Sequence, residues 1–232
     1  MIKIGGLQKT TFIDYPGKLA CTVFLCGCNF RCPFCYSGEL VLPEKIKNQP
    51  EITKKEFFNF LKKRKKLLEA IVVCGGEPTI NKDLPDFIRE IKEFGYLVKL
   101  DTNGSDPEML QKLIDEKLID YAAMDIKASK EKYERTIGTK IDIKKIEKSV
   151  NILKKGIIGY EFRTTVVPGI IDKNDIFKIA KWLSPAPRYF LQNFKAEKTI
   201  DPKFEKEKSY SDEYMKEIKK IVQPYFKECE IR

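Results

Sequence analysis

Residues 70–104 read AIVVCGGEPTINKDLPDFIREIKEFGYLVKLDTNG, and they set out one β-α-β unit. Ala70-Ile71-Val72-Val73-Cys74 is a short, β-branched apolar run ended by Gly75-Gly76, the pattern of a buried strand. Residues 84–94 carry apolar side chains at helical spacing, and Gly95 stands where such a helix stops. Residues 96–102 then predict a second strand. The alternation extends both ways. Upstream, Cys21-Thr22-Val23-Phe24-Leu25 predicts a first strand. A helix starts at Thr53, where Thr53 and Glu56 make a capping box ahead of Phe57, Phe60, Leu61 and Leu68. Downstream, Asp106-Pro107 opens a helix in N-cap, N1 order. Strands follow at 121–126, 160–167 and 189–194, with helices near 129–136, 143–155 and 175–183.

Six β/α units in succession imply a parallel sheet with right-handed crossovers. Strands apolar on both faces must be covered on both sides or close on themselves. The expected fold is α/β, a partial (β/α)6 TIM-like barrel, with a flat doubly wound sheet as the alternative. A chain of 232 residues suits a single domain. We expect a core over residues 1–200 and a C-terminal helical extension over 201–232 packed on it, reached through the polar stretch from Lys198 to Lys208. In either architecture chemistry belongs in the loops at the carboxyl ends of the strands.

Composition narrows the chemistry. There is no histidine, which removes Ser-His-Asp triads, Cys-His nucleophiles, HExxH zinc sites and facial-triad iron together. The seven cysteines are an odd number in a chain that opens without a signal-peptide pattern, so metal or redox chemistry is expected over a disulfide framework. No apolar run approaches the roughly 20 residues of a membrane span, and a cytoplasmic location with no membrane partner is expected. The formal net charge of +10 invites a nucleic-acid reading. Lys and Glu are interspersed, however, as in Lys203-Phe204-Glu205-Lys206-Glu207-Lys208, which reads as a solvated face and argues against nucleic acid.

The loops after the strands carry the chemistry. After the first comes Cys26-Gly27-Cys28-Asn29-Phe30-Arg31-Cys32-Pro33-Phe34-Cys35. Cys28, Cys32 and Cys35 are spaced C-x3-C-x2-C, and thiolates so placed can wrap one compact iron–sulfur cluster. The alternative is a zinc knuckle completed by Cys26 or Cys74. After the second strand, Gly75-Gly76-Glu77-Pro78-Thr79 lets a ligand approach the backbone with no side chain in the way. Asp101 and Asp125 end the next two strands, where they can coordinate a hard cation or cap turns. Arg163 lies in an apolar strand and needs a carboxylate partner. Cys21 and Cys74 fall on apolar strands and read as core, and Cys229 falls in a near-terminal strand-like segment. Cys26 is close enough to compete as a ligand.

The spacing of Cys28, Cys32 and Cys35, with aromatic Phe34 before the last cysteine, resembles the signature of the radical S-adenosylmethionine (SAM) superfamily. CNFRCPFC, GGEPT, LDTNG, MDIK and VVPG in that order resemble the activating enzymes of glycyl-radical proteins. Ile13-Asp14-Tyr15-Pro16-Gly17-Lys18-Leu19 extends the likeness to the compact activating proteins of anaerobic ribonucleotide reductase, since no second cysteine cluster follows Cys35. The resemblance implies a [4Fe–4S] cluster on the three cysteines with one iron open to SAM. SAM would be cleaved reductively to a 5′-deoxyadenosyl radical that takes hydrogen from a glycine of a partner glycyl-radical enzyme. A flavodoxin or ferredoxin would supply the electron. It further implies that Gly75, Gly76 and Glu77 receive the methionyl ammonium and that Asn103, Lys127 and Arg163 contact SAM or its neighbours. Phe34 would sit near adenine, and Asp101 and Asp125 would hold a monovalent cation against the cofactor carboxylate. Two departures are Tyr36-Ser37, where relatives more often have His-Asn, and Gln192-Asn193-Phe194, where pyruvate formate-lyase activators have a His. The alternative activity is a radical SAM reaction on a small molecule or nucleotide. The non-enzymatic alternative is a zinc or scaffold protein.

Overall fold

The computed structural model of the chain describes residues 2–232. Among these residues, one sheet contains β1 (Ile4–Thr11), β2 (Ala20–Leu25), β3 (Ala70–Gly75), β4 (Leu97–Thr102), β5 (Tyr121–Asp125), β6 (Gly159–Val166), β7 (Ala186–Asn193) and β8 (Phe226–Ile231). The strands lie side by side in chain order. β2 to β8 run parallel, and β1 pairs antiparallel with β2. A doubly wound sheet reverses strand order at a switch point. This order never reverses, and β1 and β8 are left as edges. The architecture is therefore the partial barrel and not its flat alternative.

The helices are α1 (Gly38–Val41), α2 (Pro43–Ile46), α3 (Lys54–Arg64), α4 (Leu84–Glu93), α5 (Pro107–Asp115), α6 (Tyr133–Ile137), α7 (Ile143–Lys154), α8 (Lys173–Leu183) and α9 (Asp212–Val222). Their starts follow local chemistry. Thr53 and Glu56 form the expected capping box on α3, and Asp106 accepts the Met109 N–H at the start of α5. Asp172 caps α8 with Asp175 at its third position, so that helix begins before residue 175.

Two strands lie outside the six-unit expectation. β1 contains Gly5-Gly6 and an exposed polar stretch, so it shows no apolar alternation, and its pairing with β2 makes it a strand. β8 carries Cys229 and pairs in parallel with β7. The segment after residue 200 thus adds a strand to the sheet as well as the helix α9.

Strand parity separates two environments. Cys21, Val23, Leu25, Ile71, Val73, Val98, Leu100, Met124, Phe162 and Leu191 face the helices and form the main core. Each fully buried aliphatic side chain there contributes about 1.5–3 kcal/mol. The opposite parity faces the barrel interior. At the amino ends of the strands Tyr15, Ala20, Ala70, Val72 and Tyr121 form a small apolar plug. Toward the carboxyl ends the same parity brings Lys99, Asp101, Asp125 and Arg163. The strands are thus not apolar on both faces as expected, because the inner face lines a charged cavity.

Candidate active site

A cavity of about 310 Å³ opens at the carboxyl ends of the strands, near the lower bound for small-molecule and cofactor sites. Cys28, Cys32, Phe34, Cys35, Gly75, Gly76, Glu77, Asp101, Asn103, Asp125, Lys127 and Arg163 all line it. The loops after β2 to β5 and the inner face of β6 converge here, so residues far apart in sequence share one space.

The cysteine loop is tied down on several sides. Cys28 Sγ accepts the Phe30 N–H at 3.3 Å, and Arg31 Nη1 donates to the Cys28 and Phe30 carbonyls at 2.6 and 2.7 Å. The Cys35 N–H donates to the Cys32 carbonyl at 3.0 Å. Burial pushes the Cys28 thiol up to about 11 and the Cys32 thiol up to about 12, with Lys127 acting the other way on both. Thiolates in this pocket therefore need positive partners. Among the described residues no three Cys, Asp or Glu side chains converge on a single-ion site. A four-iron cluster asks for something different, because each thiolate binds a different iron. Cys26 is not among the residues lining the cavity. Its sulfur lies 2.6 Å from where a β carbon on Gly5 would stand, so it faces β1. Cys74, expected in the core, instead lines the cavity because position 74 has inward parity. Cys21 is buried as expected, and Cys229, in the strand-like segment near the C-terminus, is buried on β8.

Gly75 and Gly76 serve a close approach, but of the chain itself. Gly75 has φ +128°, and a β carbon there would lie 2.3 Å from backbone atoms of Leu25; at Gly76 it would lie 1.9 Å from the Gly27 carbonyl oxygen. The Gly76 and Glu77 N–H groups donate to the Leu25 and Gly27 carbonyls at 2.9 and 2.7 Å. The segment thus seats the cysteine loop against β3. The Glu77 side chain is also engaged internally. Its Oε1 accepts from Thr79 N (3.1 Å), Thr79 Oγ1 (2.6 Å) and Thr102 Oγ1 (2.7 Å), and its Oε2 accepts from Asn103 N (2.5 Å). Burial raises the Glu77 carboxyl while these donors lower it. Asn103 Nδ2 in turn donates to Asn29 Oδ1 at 3.0 Å, joining β4 to the cysteine loop.

Across the cavity lies a charged array. Arg163 donates from Nη1 to Asp101 Oδ2 and from Nε to Asp125 Oδ1, both at 2.9 Å. Lys127 Nζ reaches Asp125 Oδ2 at 3.2 Å, and Lys99 Nζ reaches Asp101 Oδ1 at 2.5 Å. The partner required by Arg163 is thus a pair of carboxylates. Burial works against ionising Asp125, but Arg163 and Lys127 hold it down at about 2. Burial likewise works against the Lys127 cation, and Asp125, then Cys32 and Cys35, raise it.

The segment between β7 and α9, polar in sequence, packs on the cysteine loop. The Ile200 and Asp201 N–H groups donate to the Cys35 and Pro33 carbonyls at 3.1 and 2.9 Å. Phe204 meets Phe34 edge-on. Tyr36 stacks on Phe194, and its hydroxyl accepts the Lys195 N–H at 2.7 Å. Gln192 lines the cavity. In sequence, Phe194 and Phe204 at the two ends of this polar stretch are a signal that it packs back on the core.

Residues 22–183 match the Radical SAM superfamily, over the span that supplies every cavity residue but one. The chain belongs to the radical SAM superfamily. Over 99% of its length it is 37% identical to a Methanocaldococcus jannaschii protein named for glycyl-radical enzyme activation, covering 95% of that protein. In fold it is similar to a domain of pyruvate-formate lyase-activating enzyme from Bacteroides vulgatus (18% identity, TM-score 0.57, 70% of this chain and 98% of that one). It is also similar to Streptococcus suis SuiB bound to S-adenosylmethionine (14% identity, TM-score 0.65, 88% of this chain and 48% of that one). Radical SAM enzymes use a [4Fe–4S] cluster and SAM, and the donor set fits both. The three thiols of the cysteine loop face one cavity, and the paired array of Lys99, Lys127 and Arg163 with Asp101 and Asp125 stands beside them.

Proposed function

We propose that this radical SAM enzyme activates a partner protein by taking hydrogen from the α carbon of one of its glycines. The observation that carries the reading is the likeness, nearly end to end in both chains, to a protein named for that activity. Cys28, Cys32 and Cys35 would hold the cluster. Arg163 and Lys127 would bind the SAM carboxylate, main-chain groups of the Gly75-Gly76 segment would meet its ammonium, and Phe34 would flank its adenine. When bound, the cluster and SAM supply a carbon-centred radical on the deoxyadenosyl group. The chain's own part is to orient that group, exclude water and leave a way in for a glycine loop. With β1 and β8 unjoined as sheet edges, the barrel side would leave that loop a way in.

We further read anaerobic ribonucleotide reductase as the partner, a flavodoxin or ferredoxin as the electron donor, and the cytoplasm as the location. Among the described residues no helix is long and apolar enough to cross a membrane. The free cysteines suit a reducing compartment. Electron paramagnetic resonance tests the reading. Reduced, reconstituted enzyme incubated with SAM and the candidate reductase should produce a glycyl-radical doublet in the reductase. SAM turnover driven by a small molecule, with no protein radical formed, would replace this reading by the small-molecule one.

A further inference from the structure

β4 points Lys99 and Asp101 to the same side, because side chains two apart share a face. Lys99 is 1% exposed and lies behind the cavity wall, its ammonium 2.5 Å from Asp101 Oδ1. A buried ammonium costs several kcal/mol unless it is paired. Arg163 takes Asp101 Oδ2 and Asp125 Oδ1, and Lys127 takes Asp125 Oδ2. Each oxygen of the two carboxylates therefore already has a protein cation on it. The nearby buried Glu161 does not alter the balance, because Arg232 pairs with it at 3.0 Å and the Tyr121 hydroxyl donates to it at 3.1 Å. A hard metal ion needs oxygens free to turn toward it. Here it would instead stand against three like charges. The residues do not fit the monovalent cation that resemblance assigns to Asp101 and Asp125.

We propose that Lys99 is the built-in cation of this site, taking the place of a free alkali-metal ion and positioning Asp101, and through it Arg163, for the SAM carboxylate. The proposal rests on the reading of this cavity as the SAM site. It makes Lys99 a positioning residue, since its ammonium reaches SAM only through Asp101 and Arg163. The consequence is that SAM binding by the native enzyme is indifferent to alkali-metal ions. Removing the ammonium by Lys99→Met vacates one side of Asp101 and creates a place for such an ion.

The test uses reconstituted, reduced holoenzyme in tetramethylammonium, potassium or sodium buffer at equal ionic strength. SAM affinity is read by equilibrium dialysis and by the change SAM causes in the cluster's paramagnetic resonance signal. Wild-type affinity and signal should agree among the three buffers to within about twofold. Lys99→Met should bind SAM about tenfold more weakly in tetramethylammonium, the size of effect usual for a supporting partner, and should recover in potassium or sodium. A wild-type enzyme that needs potassium or sodium overturns the proposal, whether or not the variant folds. A variant that binds normally in all three buffers overturns it as well. Absence of any SAM-dependent change in the wild type, in every buffer, would instead overturn the reading of the cavity and the proposal with it.

Discussion

The two ends of the barrel interior belong to one sheet and share the inward strand parity, yet they differ in kind. At the amino ends, Tyr15, Ala20, Ala70, Val72 and Tyr121 close the interior with apolar contacts. At the carboxyl ends, β4, β5 and β6 present Lys99, Asp101, Asp125 and Arg163 beside a loop of three cysteines. The plug is held mainly by packing, with the Tyr121 hydroxyl hydrogen-bonded to Glu161 and Arg188 at its margin. The cavity end holds buried charges whose desolvation is offset only by mutual pairing. The difference shows where the fold gains stability and where it gives stability up for binding. Substitutions at the plug should lower stability with little effect on the cofactors, and those at the cavity should do the reverse or both.

The largest expected effect is at the cysteines. Cys32→Ala should abolish SAM cleavage and leave iron well below the roughly four atoms per chain of a complete cluster, while thermal unfolding moves little. Iron analysis and circular dichroism together check this.

Arg163→Met comes next, because it leaves Asp101 and Asp125 short of their shared partner. It should cost about 3–5 kcal/mol, read by urea unfolding, and should also weaken SAM binding. The pH dependence has a definite sign. Asp125 is held at about 2 in the folded chain, against about 3.9 unfolded. Its contribution is present above pH about 4 and fades as pH falls toward 2. In Arg163→Met that fall should be shallower.

Glu77→Gln exchanges an acceptor for a donor in front of Thr79, Thr102 and Asn103, and should cost about 1–3 kcal/mol. Val72→Ala, at the plug, should cost about 1–2 kcal/mol and leave iron content and SAM affinity at wild-type values. If it lowers SAM affinity as Arg163→Met does, the contrast between the two ends is wrong. Cys26→Ala should keep its full iron complement, because Cys26 faces Gly5 and not the cavity.

Much of this was legible in the sequence. The six β/α units could be read because apolar runs and helical spacing alternate with capping residues such as Thr53 and Asp106. The cavity wall could be read because strand-end loops are where such folds place their chemistry. β1 is not visible in sequence, because it is defined by pairing and not by pattern. Lys99 does not stand out in sequence, because inward parity at β4 becomes informative only once the interior is known to be charged there. Gly75 and Gly76 read in sequence as an opening for a ligand, whereas the group found packed against them is the chain itself, because the fold seats the cysteine loop there. Cys74 read as core because an apolar strand does not announce which parity faces a cavity.

The proposed role of Cys28, Cys32 and Cys35 is to hold a cluster that cleaves SAM in this cavity. Anaerobically reconstituted protein, reduced and supplied with SAM, measures it most directly. 5′-Deoxyadenosine and methionine should form in equal amounts and be lost together in Cys32→Ala. Intact SAM over a fully loaded, reduced cluster would contradict that role.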